Sequence, residues 1–415
     1  MSAEIHNVVA DDVLVVGGGL IGAATALALA QSGWRVRLLE AGSGPQAIPA
    51  ASDVTARVSA ISPASFNLLN HLGVWSRMDA AQVLPYQAMQ VWESDILTNG
   101  MHFTASENGV PALGYFLENE TLRAALWQAL EGAGVAIETG VVLERVTVRA
   151  AFVDAASAAQ RYRARLIAVT DGAESSVRSM LGIDVQREAY GHDALVTTVR
   201  TEHAHQDTAW QRFLPGGPLA FLPLADGRCS IVWSQPPEHA AENAALDDAA
   251  FCLALSDALG ETLLGRVLNA TPRITFPLQK RQAEHYVRPR VALLGDAAHT
   301  LHPLAGQGVN LGFQDVAALA AVLGRAVSGT VQDPGEFARL RRYERARRGD
   351  NVLMQAGMAG LKSLFEQEQA PLRALRRWGL AAVGKSALLK RQFALQAMDS
   401  RLESWPLLEP HLQIQ

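Results

Sequence analysis

The sequence predicts an α/β protein in which parallel strand–helix units are interrupted by a mostly antiparallel sheet. Two observations predict the parallel units: apolar runs near residues 13 and 291 each end in a glycine-containing turn that leads into residues at helical spacing. A third predicts the interruption, because residues 194–277 contain successive strand-like runs without that strand–helix rhythm. An inserted sheet of this kind is typical of a domain that covers one side of a ligand.

Length and composition exclude several classes of protein. The chain has 415 residues, of which 49% are hydrophobic and 19% charged, as in a globular protein with a large core. Its net charge of −5 argues against a nucleic-acid-binding protein. The two cysteines, Cys229 and Cys252, are too few for a disulfide framework or a cysteine metal site, and the histidines show no metal-ligand spacing. We therefore expect no bound metal and no nucleic-acid partner.

The amino-terminal apolar stretch does not predict a membrane span. Residues 1–12 lack the basic segment of a signal peptide, and four glycines break the stretch 13–30. We expect a strand, a turn and a helix there, in a soluble cytoplasmic protein.

The first motif follows a predicted strand and opens a helix. It reads G-G-G-L-I-G, in which Gly17 allows a tight turn, Gly19 lets a pyrophosphate approach and Gly22 lets the helix pack on the strand. About 20 residues further on, a second strand ends at Glu40, where a carboxylate binds a ribose diol and repels a 2′-phosphate. The motif predicts a dinucleotide without distinguishing NAD from FAD. A glycine-rich turn without a ligand is the alternative.

The second motif begins with a short strand, residues 291–294, that delivers Asp296 where open α/β sheets bind their ligands. The loop that follows contains one proline and two glycines: Pro303, Gly306 and Gly308. A helix is predicted to begin beside these glycines, and its free N–H groups and dipole stabilise an anion. An ordinary strand–loop–helix turn is the alternative.

Three further residues are candidate ligand contacts. Arg57 stands among small and apolar residues, where an arginine is costly unless it pairs with a phosphate or another charge. Arg123 falls on the polar face of a helix that begins near Glu118, where a solvated arginine is the simpler interpretation. Asp171 begins an Asp-Gly pair after a strand, which is also the pattern of a plain turn.

Two regions suggest how a substrate is bound. An aromatic wall for a hydrophobic ring is predicted from Trp210, Phe213, Trp233 and residues 220–224, although core packing explains each of them equally well. Residues 337–365 predict a helix. The segment after it carries basic residues among apolar ones: Arg373, Arg376, Arg377, Lys385, Lys390 and Arg391. Such a segment binds an anionic membrane or a partner, or is a solvated helix face.

The two motifs together resemble those of the flavoprotein aromatic hydroxylases, and most closely the ubiquinone-biosynthesis hydroxylases. The stretch G-D-A-A-H-T-L-H-P-L-A-G-Q-G-V-N-L-G from Gly295 is long enough to be specific, and R-V-S-A-I-S from Arg57 matches the family pattern. The resemblance covers nearly the whole chain and is greatest for members that hydroxylate a demethoxy-quinol. One departure is V-T-D-G at 169–172 in place of G-A-D-G, which makes the role of Asp171 less certain.

The resemblance implies a Rossmann-like FAD-binding domain of the para-hydroxybenzoate-hydroxylase type, with bound FAD and NAD(P)H as a transient reductant. It assigns Pro303 and Gly306 to a loop that faces the flavin, with no side-chain base. The residues it implies in cofactor binding are Gly17, Gly19, Gly22, Glu40, Arg57, Arg123, Asp171, Asp296, Gly306, Gly308, Val309 and Asn310.

The domain organisation follows from the same resemblance. We expect the FAD-binding domain to consist of residues 1–88, 118–190 and 281–350. The inserted substrate domain then consists of residues 89–117 and 191–280, and residues 351–415 form a helical C-terminal region.

The implied activity is that of an FAD-dependent monooxygenase that hydroxylates a polyprenylated phenol or quinol with O2, through a C4a-hydroperoxyflavin. A biosynthetic assembly or the inner face of the membrane is an implied partner. The alternatives are a catabolic hydroxylase of a small soluble phenol, a flavin-dependent isoprenoid reductase and a non-catalytic flavin-bound subunit. A halogenase is disfavoured because the chain lacks a Trp-x-Trp-x-Ile-Pro signature.

Overall fold

A computed structural model describes residues 9–45, 57–93, 100–260, 262–300, 308–326 and 332–349. The strands in these ranges are β1 (Val9–Val16), β2 (Val36–Glu40), β3 (Val58–Ile61), β4 (Leu84–Tyr86), β5 (Ala88–Trp92), β6 (Met101–Thr104), β7 (Gly114–Glu118), β8 (Ala136–Thr139), β9 (Leu143–Val148), β10 (Val153–Ser157), β11 (Arg161–Val169), β12 (Val185–Thr201), β13 (Thr208–Leu214), β14 (Gly217–Pro223), β15 (Cys229–Gln235), β16 (Val267–Ala270), β17 (Ile274–Ala283), β18 (Val287–Arg288), β19 (Val291–Leu293) and β20 (His299–Thr300). The helices are α1 (Leu20–Gln31), α2 (Pro63–His71), α3 (Asn119–Gly132), α4 (Ser176–Met180), α5 (Pro237–Ala245), α6 (Asp248–Leu259) and α7 (Gly308–Leu323). Residues 337–349 are also helical.

The first sheet is built around five parallel strands in the order β19-β11-β1-β2-β8. Its central strand runs through Val13, Leu14 and Val15, which are at most 1% exposed. A strand this apolar on both faces requires cover on both sides of the sheet, as in doubly wound α/β folds. The antiparallel strands β18, β10 and β9 extend this sheet at its margins.

Helices α1 and α7 pack closely against each other beside this sheet. A side chain at Gly312 would meet Ile21, because a Cβ there would lie 2.5 Å from the Ile21 Cδ1 atom. Helix α7 is buried from Asn310 to Ala320, on every face. A helix covered on all sides in this way belongs to the interior of the protein.

The second sheet is almost entirely antiparallel, in the order β20-β17-β12-β15-β14-β13-β5-β6, with β16 beside β12. The pairing of β13 with β5 is the parallel exception. Helix α6 covers one face of this sheet through Phe251 and Leu255. The opposite face, through Ala220 and Leu222, packs on Ala60 and Phe116.

The prediction that Trp210 and Trp233 line a wall for a bound ring is wrong. Both belong to the cluster around Phe251, on the face that α6 covers, and are 4% and 7% exposed. Side chains alternate between the two faces of a strand, so residues one position away point to the other face. Ala220 and Phe213 therefore lie on the face opposite these tryptophans, as the pairing of their strands requires.

A small third sheet connects the two large ones. Its order is β3-β7-β4, so β7 pairs with the strand at Val58–Ile61 and not with the second sheet. Strands β5 and β6, by contrast, join the second sheet. The domain boundaries proposed from sequence remain predictions.

The predicted basic segment from Arg373 to Arg391 lies outside the described residues. Within the described ranges, no helix has both the length and the apolar composition needed to cross a bilayer.

Candidate functional site

The carboxyl ends of the parallel strands bring four predicted site residues to one edge of the first sheet. Strands β19, β11, β1 and β2 are neighbours, and Asp296, Asp171, Gly17 and Glu40 stand at or just beyond their respective ends. The outer two of these strands, β19 and β2, are three strand spacings of about 4.8 Å apart, a distance of about 14 Å. The carboxylates of Asp296 and Glu40 therefore lie on opposite sides of the glycine loop. This arrangement suits a ligand with hydroxyl groups at both of its ends.

The three glycines of the loop meet different surroundings. Gly17 has a φ of +102°, and a Cβ there would lie 2.6 Å from the Thr170 carbonyl oxygen. A Cβ at Gly22 would overlap the Gly17 carbonyl oxygen. At Gly19 a Cβ would meet no atom within 4 Å, and the residue caps the amino end of α1 without a side-chain hydrogen bond. The open space beside Gly19 is thus a cradle next to unsatisfied helix N–H groups.

Glu40 is tied to the glycine loop. Its carboxylate accepts hydrogen bonds from the Gly18 amide and, at 2.9 Å, from the Gly42 amide. The Arg123 Nη2 atom lies 3.9 Å from the same carboxylate, and its Nε donates to the Gly18 carbonyl at 3.2 Å. The Trp127 Nε1 atom donates to that carbonyl as well, at 2.9 Å. Arg123 is therefore part of the loop's support, and the simpler interpretation of a solvated arginine is wrong.

Asp171 lies beside Gly17 and has one carboxylate oxygen available. Its Oδ2 atom accepts from the Val177 amide at 3.2 Å, whereas its Oδ1 atom is buried without a hydrogen-bond partner among the described residues. Thr170, the residue before it, donates to the Val16 and Gly17 carbonyls at 2.7 and 3.0 Å. A buried oxygen without a partner is rare in proteins and marks a place where a ligand or water belongs.

Asp296 combines an exposed position with a desolvated carboxylate. The residue is exposed to solvent and has no hydrogen-bond partner among the described residues, yet surrounding protein atoms desolvate its carboxylate. This burial raises the pKa of Asp296, against the opposing charges of His299 and Arg57. A carboxylate that is both accessible and partly desolvated is typical of a side chain that lines a cleft.

The start of α7 is less open to a ligand than the sequence suggested. Gly308 is exposed and Val309 is partly buried. Asn310, however, is buried, and its side chain donates to the Ala60 carbonyl at 2.8 Å and accepts from the Ser62 amide at 3.0 Å. Its side chain is therefore occupied in joining α7 to the third sheet. The predicted loop residues Pro303 and Gly306 lie outside the described residues.

The expectation that Arg57 is buried among small and apolar residues is wrong. The residue is exposed, because β3 begins after it and only the residues that follow enter the core. Its charge still acts on the site, since it partly opposes the rise in the pKa of Asp296 that burial causes.

The arrangement fits an FAD molecule held in an extended form. The open cradle at Gly19 suits a pyrophosphate, Glu40 and Asp296 suit the hydroxyls of its two halves, and the unpartnered oxygen of Asp171 lies between them. Among the described residues there is no cluster of metal-ligating side chains. The fold and the site define a protein that binds a dinucleotide such as FAD.

Comparison with known proteins gives the same class. The family model described as FAD binding domain matches residues 10–355. The 3-demethoxyubiquinol 3-hydroxylase of Escherichia coli (strain K12) is 39% identical over 393 residues, which cover 92% of this chain and 96% of that protein. The mitochondrial ubiquinone biosynthesis monooxygenase COQ6 of Homo sapiens is 35% identical, over 92% of this chain and 91% of that protein. The chain belongs to this family of FAD-dependent monooxygenases.

Solved structures share the fold. The p-nitrophenol 4-monooxygenase PnpA of Pseudomonas putida DLL-E4 has a TM-score of 0.74 at 21% identity, over 96% of this chain and 99% of that one. HpxO of Klebsiella pneumoniae, complexed with FAD and uric acid, has a TM-score of 0.71 at 20% identity, over 96% of this chain and 98% of that one. The predicted α/β architecture with an inserted antiparallel sheet is confirmed.

Proposed function

We propose that this protein hydroxylates the aromatic ring of a polyprenylated phenol or quinol in ubiquinone biosynthesis, using O2 and NAD(P)H. One oxygen atom enters the ring as a hydroxyl group and the other leaves as water, with two electrons supplied by NAD(P)H. The observation that supports this most is the 39% identity to the demethoxyubiquinol hydroxylase, because it extends over 92% of the chain and so includes the second sheet as well as the FAD site.

The bound FAD supplies the electron transfer and the activation of oxygen, which no side chain here can perform alone. The protein's contribution is to hold the cofactor, to place the ring and to exclude water. The amino end of α7 supplies a positive dipole, which favours negative charge on a ring bound in front of it.

The sheet face turned toward β3 and β7 suits an uncharged ring. Across four adjacent strands, Gln211 lies opposite Ala220, Ala220 opposite Val232, and Val232 opposite Val196. None of these four side chains carries a charge. A substrate with a carboxylate would need a cationic partner to leave water, whereas a neutral phenol or quinol needs a few hydrogen bonds.

Ser234 is our candidate for one of those hydrogen bonds. It lies two residues from Val232 on the same strand, and therefore on the same face. It is 2% exposed, and its Oγ atom has no hydrogen-bond partner among the described residues. A hydroxyl group both donates and accepts, so it can bind either a phenol or a quinone oxygen.

Delivery of a polyprenylated substrate requires contact with a membrane or with a partner that carries the molecule. We propose that the basic segment around Arg376, Arg377, Lys390 and Arg391 makes this contact. Anionic lipid attracts each basic residue by about 1 kcal/mol near the surface, and salt weakens the attraction.

We expect product formation from a prenylated demethoxy-quinol to exceed that from the unprenylated ring, and we expect salt-sensitive co-sedimentation with anionic vesicles. Replacing the four basic residues by glutamine should reduce co-sedimentation at low salt. A matched control replaces four arginines elsewhere on the surface, Arg35, Arg163, Arg187 and Arg266, whose side chains are 42–78% exposed. Efficient turnover of a small soluble phenol without a prenyl preference would instead indicate a catabolic hydroxylase. Oxygen-independent turnover would indicate a reductase.

A further inference from the structure

A buried charged cluster lies beneath the turn that carries Asp296. Its members are Asp315 on α7, His299 at the end of the turn and Arg347 on the helix 337–349. Their side chains are 0%, 2% and 0% exposed, respectively. Buried charges are costly unless they are paired and hydrogen-bonded, so removing one member leaves the others in an unfavourable state.

Asp315 holds both ends of the turn with one oxygen atom. Its Oδ2 atom accepts a hydrogen bond from the Gly295 amide at 2.9 Å and one from the His299 Nε2 atom at 2.6 Å. Gly295 immediately precedes Asp296 and has a φ of +57°, a conformation that favours glycine. The position of Asp296 is thus set from both sides by a single carboxylate.

Arg347 holds that carboxylate from the C-terminal side. Its Nε atom donates to the Asp315 Oδ1 atom at 2.8 Å, and its Nη2 atom donates to the Gln314 Oε1 atom at 2.9 Å. Complete burial works against ionisation of Asp315, but the charges of His299 and Arg347 outweigh it and hold the pKa of Asp315 below its ordinary value. The pair is therefore an ionised carboxylate and a guanidinium.

Asp315 also joins two elements of the FAD site. It stands about two helical turns after Gly308, on the helix whose amino end approaches the site. We propose that Asp315, fixed by Arg347, is a positioning residue that clamps the Asp296 turn to α7. As a consequence, FAD binding and the docking of helix 337–349 stabilise each other. The proposal rests on FAD binding and is independent of the substrate.

The reciprocity follows from linkage. If docking of the helix improves the geometry for FAD by some factor, FAD must strengthen the docking by the same factor. Loss of Arg347 would leave Asp315 free to rotate away from Gly295, and Asp296 would lose its fixed position.

The test compares the fully buried Arg347–Asp315 pair with the partly buried Arg290–Asp333 pair at the opposite end of the strand β19. Arg347→Met removes the charge beneath the FAD turn, and Arg347→Lys keeps a charge there. The control is Arg290→Met, since Arg290 is 8% exposed, pairs with Asp333 at 2.7 Å and lies at the amino end of the strand, away from the site. FAD affinity is measured by fluorescence titration of apoprotein well below its unfolding temperature, together with the thermal midpoint of each apoprotein.

We expect Arg347→Met to weaken FAD binding by about tenfold or more, the equivalent of one lost charge-assisted hydrogen bond, with partial rescue in Arg347→Lys. Arg290→Met should lower the thermal midpoint by a similar amount while changing FAD affinity much less. Equal changes of FAD affinity in Arg347→Met and Arg290→Met would overturn the proposal. They would mean that the cluster affects FAD binding only through the stability of the whole fold.

Hydrogen exchange of the wild-type protein tests the same coupling without any variant. Adding FAD should slow amide exchange in residues 295–299 and in residues 337–349, and should leave α6 almost unchanged. If FAD protects the turn but not residues 337–349, the proposed coupling is wrong even though FAD binds.

Discussion

Replacing Gly22 by alanine should destabilise the fold, whereas replacing Gly19 by alanine should spare the fold and impair FAD binding. The added methyl group at Gly22 overlaps the Gly17 carbonyl oxygen and lies 2.5 Å from the Thr170 Oγ1 atom. Neither neighbour can move without separating α1 from β1, so we expect a loss on the order of 3 kcal/mol or more. Urea denaturation of the apoproteins measures this loss.

The same methyl group at Gly19 meets nothing within 4 Å in the free protein, and the backbone there has an ordinary φ of −70°. We expect apoprotein stability within about 1 kcal/mol of wild type, the cost of a poorer helix cap. The methyl group occupies the space that a pyrophosphate needs, so FAD affinity should fall by about tenfold or more. Unchanged FAD affinity in Gly19→Ala would mean that the pyrophosphate does not bind at this loop.

Replacing Asp296 by alanine should have the largest effect on FAD affinity among the changes that leave the fold intact. Its carboxylate has no hydrogen-bond partner among the described residues, so the substitution breaks no bond within them. A charge-assisted hydrogen bond to a ribityl hydroxyl is worth about 1.5–3 kcal/mol, which predicts a loss of about 10- to 100-fold. The measurement is FAD titration with flavin fluorescence, with Asp248→Ala on α6 as the control.

Glu40→Ala should weaken FAD binding from the other end of the site, but it should also lower apoprotein stability. This carboxylate holds the Gly18 and Gly42 amides, and both bonds are lost with it. If Asp296→Ala and Glu40→Ala both bound FAD as tightly as the wild-type protein, the assignment of both motifs would be wrong.

The raised pKa of Asp296 should make FAD binding depend on pH. The ionised carboxylate is the better acceptor for a hydroxyl, and burial favours the neutral form in the free protein. FAD affinity should therefore increase as the pH rises through this pKa and level off above it. Asp296→Asn should lack that dependence.

The sequence alone indicates which residues end the parallel strands of the first sheet, because each strand and the turn after it are visible as a short run of residues. Gly17, Glu40 and Asp296 each follow a short apolar strand, and parallel strands bring their carboxyl ends together. The order of those strands in the sheet does not follow from such short runs. The proximity of Asp171 to Gly17 depends on that order and could not be predicted either.

The contacts that the sequence analysis missed join residues far apart in the chain. Asp315 and Arg347 are 32 residues apart, and Trp127 donates to a carbonyl 109 residues away. One signal was present: Asp315 is the one charged residue of the mostly apolar helix α7, and a lone buried charge is not tolerated without a partner. The identity of the partner could come only from the structure.

The faces of the second sheet show a different limit. Alternation predicts that neighbours on one strand, such as Ala220 and Phe221, occupy different faces, yet it does not say which face a helix will cover. Trp210 and Trp233 belong to the helix-covered core around Phe251, whereas the small side chains of Ala209 and Ala220 face β3 and β7.

The most direct test of the proposed reaction is the origin of the oxygen in the product. FAD-loaded protein is supplied with NAD(P)H, a prenylated demethoxy-quinol and isotopically labelled dioxygen in ordinary water, and the product is examined by mass spectrometry. We expect one labelled oxygen atom on the ring, in proportion to the NAD(P)H consumed. A product that carries oxygen from water, or one formed equally well without dioxygen, would contradict the proposed reaction.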